Sequence, residues 1–344
     1  DEIWRPLDHS VARWVMSHGG SALLAEVAGW ASYADGQGDS ALPLRPMDNG
    51  RHGMRNLSAD ELSALAMQPM VSRIDDAAGD AAGISQPFAI QFDHFYLRRN
   101  GMHEIAVAGH VRRRRALTVP SVHPLTDDDL DALFDGQQGE EVRPQRDAVR
   151  AVPGRRLFVL TGGPGTGKTT TVLRMLMALG RVHAEGGNPP PVIRISAPTG
   201  KAAQRLTDSL RLGSADMRGG KLQLPAEWLV HLDHALAAES GTLHRLLGSR
   251  GQHGGFTYHA GNRLPADIVV VDEASMVDLV MLRALLEALR EDAVLLLVGD
   301  ADQLTSVGTG SILLDLVSAM EADNNRDLVR LHHSFRADKS LVPI

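Results

Sequence analysis

Residues Gly162–Thr169 read GGPGTGKT, which is a complete G-x-x-x-x-G-K-T phosphate loop. A short apolar stretch, 157–160, precedes the loop, and a segment of helical periodicity, 170–177, follows it. This strand–loop–helix context favours a nucleotide site over a glycine-rich turn that contains Lys-Thr by chance. Glycines let backbone N–H groups surround phosphate oxygens at a helix N-terminus, where the helix dipole favours negative charge. The segment therefore predicts binding of a nucleoside triphosphate.

The side chains of the loop have separate expected roles. Lys168 would place its ammonium group on the β and γ phosphates, and the Thr169 hydroxyl would be a ligand of Mg²⁺. Mg²⁺ is accordingly a predicted cofactor. The other residues would enclose the phosphates, so the remaining predicted nucleotide-binding residues are Gly162, Gly163, Pro164, Gly165, Thr166, Gly167 and Thr170.

Two acidic residues, Asp272 and Glu273, follow three valines at 269–271 and should lie at the end of a strand. Taken alone, such a pair is equally consistent with a Mg²⁺ site and with the N-cap of a following helix. The presence of the phosphate loop favours the first interpretation. Asp272 would then hold Mg²⁺, usually through water, and Glu273 would orient or deprotonate the attacking water.

A third segment, 299–308, reads GDADQLTSVG after another apolar run. Its glutamine, Gln303, would lie at a strand end near the γ-phosphate and could sense whether that phosphate is present. On its own, the segment could equally be an ordinary turn.

The composition is that of a globular protein whose 344 residues are enough for two or three domains. The chain has 43% hydrophobic and 22% charged residues and no cysteine, which excludes disulfides and cysteine-ligated metals. It has no apolar stretch of about 18 residues, and its first residues do not resemble a signal peptide. We therefore expect a cytoplasmic protein with no membrane segment.

Charge is unevenly distributed along the chain. Residues 1–150 contain 15 arginines and 22 acidic residues, whereas residues 151–344 contain 20 charges of each sign. DNA would therefore have to bind local patches, because no strongly basic surface is expected. The arginine runs at 98–99 and 112–115 are interpreted as solvated surface in preference to a DNA contact.

The second part of the chain alternates apolar strands with helices. Strands are predicted at 157–160, 192–196, 267–271 and 293–298, and helices at 200–212 and 278–290, among others. Near-continuous apolar strands alternating with helices indicate an α/β fold with a parallel sheet covered on both faces. Ligands of such sheets bind at the carboxyl ends of the strands. The phosphate loop and the two acidic residues are predicted to lie there.

The first part predicts a small, mostly helical domain. One helix is expected at 11–27 and another at 57–67, where Ser58 and Glu61 have the spacing of a capping box. Residues 86–97 alternate enough to form a pair of strands. An acidic, turn-rich stretch, 127–141, then predicts a helix and a linker.

Three of these segments resemble motifs I, II and III of superfamily 1 DNA helicases: GGPGTGKT, VDEASM at 271–276 and GDADQL at 299–304. Further segments are similar to the RecD subunit family of RecBCD helicase–nucleases: SAPTGKAAQRL at 196–206, TLHRLLG at 242–248 and HAGN at 259–262. The resemblance is strong over about residues 143–336 and weaker at 31–44.

The resemblance implies an amino-terminal partner-docking domain at 1–120, an acidic linker at 121–143, a RecA-like P-loop NTPase domain at 144–330 and the start of a second motor domain at 331–344. It implies a motor subunit that uses ATP and Mg²⁺ and moves 5′ to 3′ on single-stranded DNA in a recombinational repair complex. RecB-like and RecC-like subunits would bind its first domain. Because the later helicase motifs belong to a second RecA-like domain, residues 1–344 alone are expected not to unwind DNA.

The resemblance also assigns roles to single residues. Gln145 would read the adenine edge, although it could merely cap a helix. Arg336 would reach the γ-phosphate across the cleft and join Lys168 and the acidic pair as a catalytic residue. The segments that contact the DNA backbone in the family contain Thr199, Lys201, Thr242 and His244, of which His244 could instead be a core histidine.

Two other functions remain open at this point. A freestanding RecD-like helicase would work without partner subunits, but such helicases tend to carry helix–hairpin–helix repeats, which are not seen in residues 1–140. A nucleotide-bound scaffold would dock on a partner through the acidic first domain without turnover. The segment 213–240 lies where helicases of this class insert variable sequence, and no function is predicted for it.

Overall fold

The computed structural model describes residues 8–44, 55–74, 85–117, 124–219, 224–251, 254–303, 312–323 and 326–335. These residues divide into two units. The first unit contains the described residues up to 110 together with 278–283, and the second contains the rest. Within this described part, no helix is both long enough and apolar enough to cross a membrane.

The first unit combines helices with a small sheet. Its elements are α1 (His9–Ser17), α2 (Ala22–Gly36), β1 (Leu42–Pro43), α3 (Ala59–Ala66), β2 (Val71–Arg73), β3 (Phe88–Gln91), β4 (His94–Leu97) and residues 98–110 of α4 (Arg98–Ala116). The strand order is β1-β4-β3-β2, with β2 parallel to β3 and the other pairs antiparallel. Helices predominate as predicted, but the sequence indicated only the β3–β4 pair.

The single helix predicted at 11–27 is wrong, because α1 and α2 are separated at Gly19 and Gly20. Gly19 has φ +82°, a left-handed conformation that ends α1, and Gly20 donates its N–H to the Val15 carbonyl at 2.9 Å. A Cβ atom on Gly20 would lie 2.3 Å from Val15 Cγ1, so only glycine fits. Ser21 then caps α2. Apolar periodicity continues across the break, which is why the sequence pattern indicated one helix.

Two other expectations for this unit are confirmed. Ser58 and Glu61 form a capping box at the start of α3, because each side chain bonds the backbone of the other residue. The predicted strand pair is the β3–β4 hairpin, in which Phe88 faces Leu97 and Gln91 faces His94. The core of the unit is made by large buried side chains, among them Leu24, Trp30 and Phe95.

The second unit contains the six-stranded sheet. Its elements are residues 111–116 of α4, α5 (Asp127–Leu133), α6 (Arg143–Ala151), β5 (Leu157–Gly162), α7 (Lys168–Glu185), β6 (Ile193–Ala197), α8 (Gly200–Arg218), α9 (Ala226–Leu236), β7 (Glu239–Thr242), α10 (Leu243–Leu246), β8 (Ile268–Val271), residues 284–288 of α11 (Leu279–Ala288), β9 (Val294–Gly299), α12 (Ile312–Ala322) and β10 (Leu328–Leu331). All strand pairs are parallel, in the order β10-β5-β9-β8-β6-β7. The described residues thus confirm the predicted RecA-like α/β class.

The four predicted strands are confirmed as β5, β6, β8 and β9. Every residue of β5, β8 and β9 is buried, as expected of parallel strands covered on both faces. The outer strands β7 and β10 were not predicted. The helix predicted at 200–212 continues to Arg218 as α8, and the one predicted at 278–290 is the shorter α11.

The acidic stretch before the sheet contains α5, whose carboxylates pair with arginines of the same unit. Asp131 bonds the guanidinium of Arg146 at 2.7 Å, and Asp129 pairs with Arg181 on α7. At its N-terminus, α5 is capped by Thr126. These contacts hold α5 against the helices that surround the phosphate loop.

The arginine run at 112–115 is not uniformly solvated, so that interpretation is wrong for two of its members. Arg114 is buried and donates to the carbonyls of Arg290 and Ala293 at 2.8 and 2.9 Å. Arg115 pairs with Asp327, which is also buried. Only the other two residues of the run are exposed. A run of like charges gives no periodic signal for the face of α4 that is buried.

Candidate nucleotide-binding site

The phosphate loop connects the buried end of β5 to the first turn of α7. Gly165 and Gly167 have φ of +80° and +83°, which residues with a side chain rarely adopt. A Cβ atom on Gly167 would lie 2.6 Å from Gln145 Nε2, and one on Gly162 would lie 2.6 Å from the Leu331 carbonyl oxygen. The glycines are therefore required both by backbone conformation and by close packing around the loop.

The Lys168 ammonium lies inside the loop. Its Nζ donates to the carbonyl oxygens of Gly162 and Gly163 at 2.5 and 2.9 Å. Burial lowers the pKa of Lys168, whereas the negative charges of Asp300, Asp272 and Glu273 oppose that shift. The predicted cation and the predicted acidic pair are thus brought together at one edge of the sheet.

The acidic pair follows β8, as predicted. The pKa of Asp272 is raised to about 6, mainly by burial and further by the charge of Glu273, while Lys168 acts in the opposite direction. Glu273 adopts a left-handed φ of +51° and precedes a short 3₁₀ turn, Ala274–Met276. Its side chain makes no capping hydrogen bond to that turn. Glu273 therefore occupies the N-cap position of that turn through its backbone alone, and no side-chain hydrogen bond supports the N-cap alternative for this residue.

Gln145 lies in α6 and is buried against the loop. Its Nε2 donates to the Thr166 carbonyl oxygen at 3.0 Å. The cap residue of α6 is Val142, so the alternative that Gln145 caps a helix is wrong. Gln145 also lines a cavity of about 560 Å³, together with Gly165, Gly167 and Thr170 of the loop region. The residue is thus in position to contact a ligand that extends from the loop.

The segment after β9 is anchored to the strand that carries the loop. Ala301 donates its backbone N–H to Thr161 Oγ1 at 3.0 Å, a buried hydrogen bond. Both carboxylate oxygens of Asp302 accept from Arg330 Nη1 on β10, each at 3.0 Å. Gln303 follows with an exposed side chain, at the end of a described range.

Arg336 lies outside the described residues, but the two residues before it contact the phosphate loop. Phe335 donates its backbone N–H to the Gly165 carbonyl at 3.0 Å, and the Ser334 hydroxyl lies 3.5 Å from the Pro164 carbonyl. The chain therefore reaches the loop directly before residue 336. This contact had no signal in the sequence.

The four residues expected to contact DNA lie at the carboxyl ends of two adjacent strands. Thr199 follows β6 and caps α8, and Thr242 ends β7 and caps α10. The register pairs Ala197 with Thr242. Lys201 and His244 are exposed in the first turns of these helices, so the alternative of a core histidine is wrong.

Several cavity-lining residues were not predicted. Arg174 on α7 and Phe335 line the cavity beside Gln145. The end of α8 forms another wall with Gly213, Asp216 and Met217, which belong to the segment of unpredicted function at 213–240. These residues belong to no motif, and only the fold brings them to the cavity.

The sequence that forms this site is similar to those of known proteins. An AAA domain family matches residues 145–309. The chain is 42% identical over 214 residues to the RecBCD enzyme subunit RecD of Mycolicibacterium smegmatis, which covers 62% of this chain and 36% of that protein. The chain is thus similar in sequence to RecD proteins.

The chain spans about a third of the length of the first curated relatives it matches. It is also 35% identical over 175 residues to the ATP-dependent RecD2 DNA helicase of Deinococcus radiodurans, which covers 51% of this chain and 20% of that protein. Among solved structures, a Bacteroides Pif1 bound to ssDNA matches with a TM-score of 0.30 and 18% identity, covering 58% of this chain and 43% of that one.

Proposed function

We propose that the second unit binds ATP with Mg²⁺ and is the P-loop domain of an ATP-dependent DNA helicase motor. The observation that carries the proposal is the position of the Lys168 ammonium, which two loop carbonyls hold in the field of Asp272, Glu273 and Asp300. A triphosphate with its divalent cation requires a fixed positive charge beside carboxylates of this kind. The match of residues 145–309 to an AAA domain family supports nucleotide use.

The metal ligands in this proposal are Thr169 and Asp272. Asp272 fits that role because burial raises its pKa, and a bound cation would supply the opposite charge that a buried carboxylate lacks. When bound, Mg²⁺ would neutralise charge on the phosphoryl group that is transferred. Glu273 orients the attacking water, Gln303 senses the γ-phosphate and Arg336 completes the catalytic set. The enclosing residues 162–170 and Gln145 bind the nucleotide.

Single-stranded DNA is the proposed polymer, bound at the ends of β6 and β7. Thr199 and Lys201 occupy the start of α8, where backbone N–H groups and the helix dipole favour phosphate. Thr242 and His244 lie beside them at the end of the neighbouring strand. The proposed contacts are to the DNA backbone, so they would position the DNA without reading its sequence.

The relatives support the finer parts of the proposal. The protein of M. smegmatis is named as a subunit of the RecBCD enzyme. We accordingly propose that RecB-like and RecC-like partners bind residues 1–120. A linker at 121–143 would lead to a motor domain at 144–330, and a second motor domain would begin at 331–344. The motor would move 5′ to 3′ in a repair complex. Similarity to the RecD2 helicase supports the alternative of a freestanding helicase.

Calorimetry with ATP and Mg²⁺ tests the proposed nucleotide site. Lys168→Ala should abolish binding, because it removes the cation that the loop holds for the phosphates. Arg112→Ala, which removes an exposed cation, should bind ATP like the unaltered chain. Unchanged ATP affinity in the Lys168→Ala protein would reject the site.

Single-stranded DNA tests the motor. Lys201→Ala should weaken binding of an oligonucleotide and leave ATP affinity unaltered, because Lys201 is exposed at the proposed DNA edge. Stimulation of ATP hydrolysis by DNA in the assembled protein supports a motor. ATP binding without DNA-stimulated hydrolysis would instead favour the scaffold.

A further inference from the structure

The cavity beside the phosphate loop extends along one face of α7. Gly165, Gly167 and Thr170 line the end at the loop, and Arg174 lines it four residues farther along the helix. Because four residues make about one helical turn, Arg174 and Thr170 share a face, about 6 Å apart along the axis. The cavity volume of about 560 Å³ is in the range of small-molecule sites. It is large enough to receive a group attached to the phosphates.

The Arg174 guanidinium is fixed in place by two contacts. Its Nε donates to the Leu133 carbonyl oxygen at 2.8 Å, and its central carbon lies 4.3 Å from the centroid of the Phe134 ring. Phe134 is buried, and stacking of a guanidinium on an aromatic ring restricts its orientation. A guanidinium held in this way is pre-organised for a planar partner.

Most of the hydrogen-bonding capacity of Arg174 remains available. A guanidinium has five N–H donors, and the bond to Leu133 uses one of them. Within the described residues, no further acceptor and no carboxylate partner of Arg174 is found. Burial lowers the pKa of Arg174 to about 10, so the group is still charged at neutral pH. A desolvated cation with unused donors is stabilised by a ligand that offers acceptors.

Gln145 supplies the complementary group. Because its Nε2 donates to Thr166, its orientation is set by the loop, and its Oε1 can accept from a ligand. Lys168, which would bind the phosphates, is not among the described residues that line the cavity. The cavity thus combines the donors of Arg174 with the acceptor of Gln145, away from the phosphate-binding cation.

We propose that Arg174 contacts the nucleobase and determines its recognition, an inference that rests on the proposed nucleotide function. The N–H donors of Arg174 bind ring nitrogens of an adenine, and Gln145 Oε1 accepts from its amino group. Phe134 acts as the positioning residue for the guanidinium. Adenine is suited to this pair because it offers ring acceptors and an exocyclic donor, whereas guanine would place its carbonyl oxygen against Gln145 Oε1.

Calorimetry with two ligands tests the proposal: ATP with Mg²⁺, and inorganic tripolyphosphate with Mg²⁺, which has no base or sugar. Arg174→Gln should weaken ATP binding about tenfold or more, which is the loss expected for hydrogen bonds from a charged group. It should change the affinity for tripolyphosphate less than twofold. The matched control is Arg146→Gln. Arg146 contacts the same Phe134 ring, at 5.6 Å, without lining the cavity, so its variant should bind ATP within about twofold of the unaltered chain.

Three outcomes would overturn the assignment. If Arg174→Gln weakened the binding of ATP and of tripolyphosphate equally, the residue would act through the phosphate loop. An unchanged ATP affinity would mean that it contacts no ligand. If Arg146→Gln weakened ATP binding to the same extent as Arg174→Gln, the loss of affinity would arise from packing around Phe134. Failure of the unaltered chain to bind either ligand would instead reject the proposed function, and the base contact with it.

A ligand-side test begins with the unaltered chain and uses the variant only for the second comparison. ATP analogues in which N1, N3 or N7 is replaced by C–H are titrated into the unaltered chain. At least one analogue should bind the unaltered chain about tenfold more weakly than ATP does. The same analogue should bind Arg174→Gln as ATP does, because both changes remove the same interaction. If all three analogues bind the unaltered chain as ATP does, Arg174 does not read the ring nitrogens.

Discussion

Arg115 and Asp327 form an ion pair, with Arg115 Nε 2.8 Å from Asp327 Oδ2, that joins the end of α4 to the residue before β10. Asp327 is 1% exposed, and Arg155 lies 3.0 Å from its other oxygen. Arg326 Nε lies 3.8 Å from Oδ2, so three guanidinium groups surround this buried carboxylate, which depends on such partners for its charge. A residue within a run of four arginines therefore has a structural role.

Arg115→Met should destabilise the protein by about 2–3 kcal/mol, because it leaves the Asp327 carboxylate buried with fewer partners. Arg112→Met, three residues earlier and exposed, should change the free energy of unfolding by no more than about 0.5 kcal/mol. Urea denaturation of both variants measures the difference. Equal stabilities would show that the ion pair contributes nothing net.

Gly167→Ala should abolish ATP binding and cost about 1–2 kcal/mol of stability. Its φ of +83° is unfavourable for alanine, and the added Cβ would lie 2.6 Å from Gln145 Nε2. Gly154→Ala is the control, because a Cβ there has no atom within 4 Å and the residue does not have a positive φ. Calorimetry and thermal unfolding separate the two variants. ATP binding by Gly167→Ala at normal affinity would show that the loop tolerates a side chain.

The pH dependence of stability should carry a signature of Asp272. Its pKa is raised to about 6, so the folded state binds a proton that the unfolded state releases near the ordinary pKa of 3.8. The stability from this group is therefore present below about pH 4 and is lost as pH rises through about 6. The loss amounts to about 2–3 kcal/mol.

Asp272→Asn tests the direction of this pH dependence, because a neutral amide does not titrate and so removes the loss of stability above about pH 6. The variant should be more stable than the unaltered chain at pH 7, and the difference should disappear near pH 4 when unfolding is measured without nucleotide. Binding of Mg²⁺ with ATP by the unaltered chain should weaken as pH falls through about 6, since a metal ligand must be deprotonated. A pH-independent difference in stability would contradict the raised pKa.

ATP should bind more tightly than GTP by about 1–3 kcal/mol, because Gln145 Oε1 would accept from the adenine amino group but would face the carbonyl oxygen of guanine and lack a donor. Gln145→Ala should reduce this preference, because the buried amide beside Thr166 is removed. Competition between the two nucleotides measures it in both proteins. Equal affinities of ATP and GTP for the unaltered chain would reject adenine reading by this residue.

The sequence predicted those parts of the fold that depend on local pattern. The strands β5, β8 and β9 were predictable because every residue in them is buried and nearly all are apolar. The phosphate loop was predictable because its chemistry restricts both residue type and spacing. The acidic pair followed from its position after a buried strand.

Parts that depend on tertiary contacts were not predictable. Arg174 has no motif, since its position over Phe134 arises only when α5 packs beside α7. Arg114 looked like its exposed neighbours, although it donates to carbonyls far along the chain. Two outer strands were also missed, because they carry less of the continuous apolar pattern that buried parallel strands require.

The outer strand β7 leaves a sheet edge that is poorly suited to pairing with another chain. It reads Glu239-Ser240-Gly241-Thr242 and is the last strand at its side of the sheet in the described part of the chain. An unpaired strand edge is a template for aggregation when it is long, flat and hydrophobic. Four small or polar residues, one of them charged, make this edge a poor template. The residues that concealed the strand from an apolar pattern therefore also protect the sheet from growing by addition of another chain.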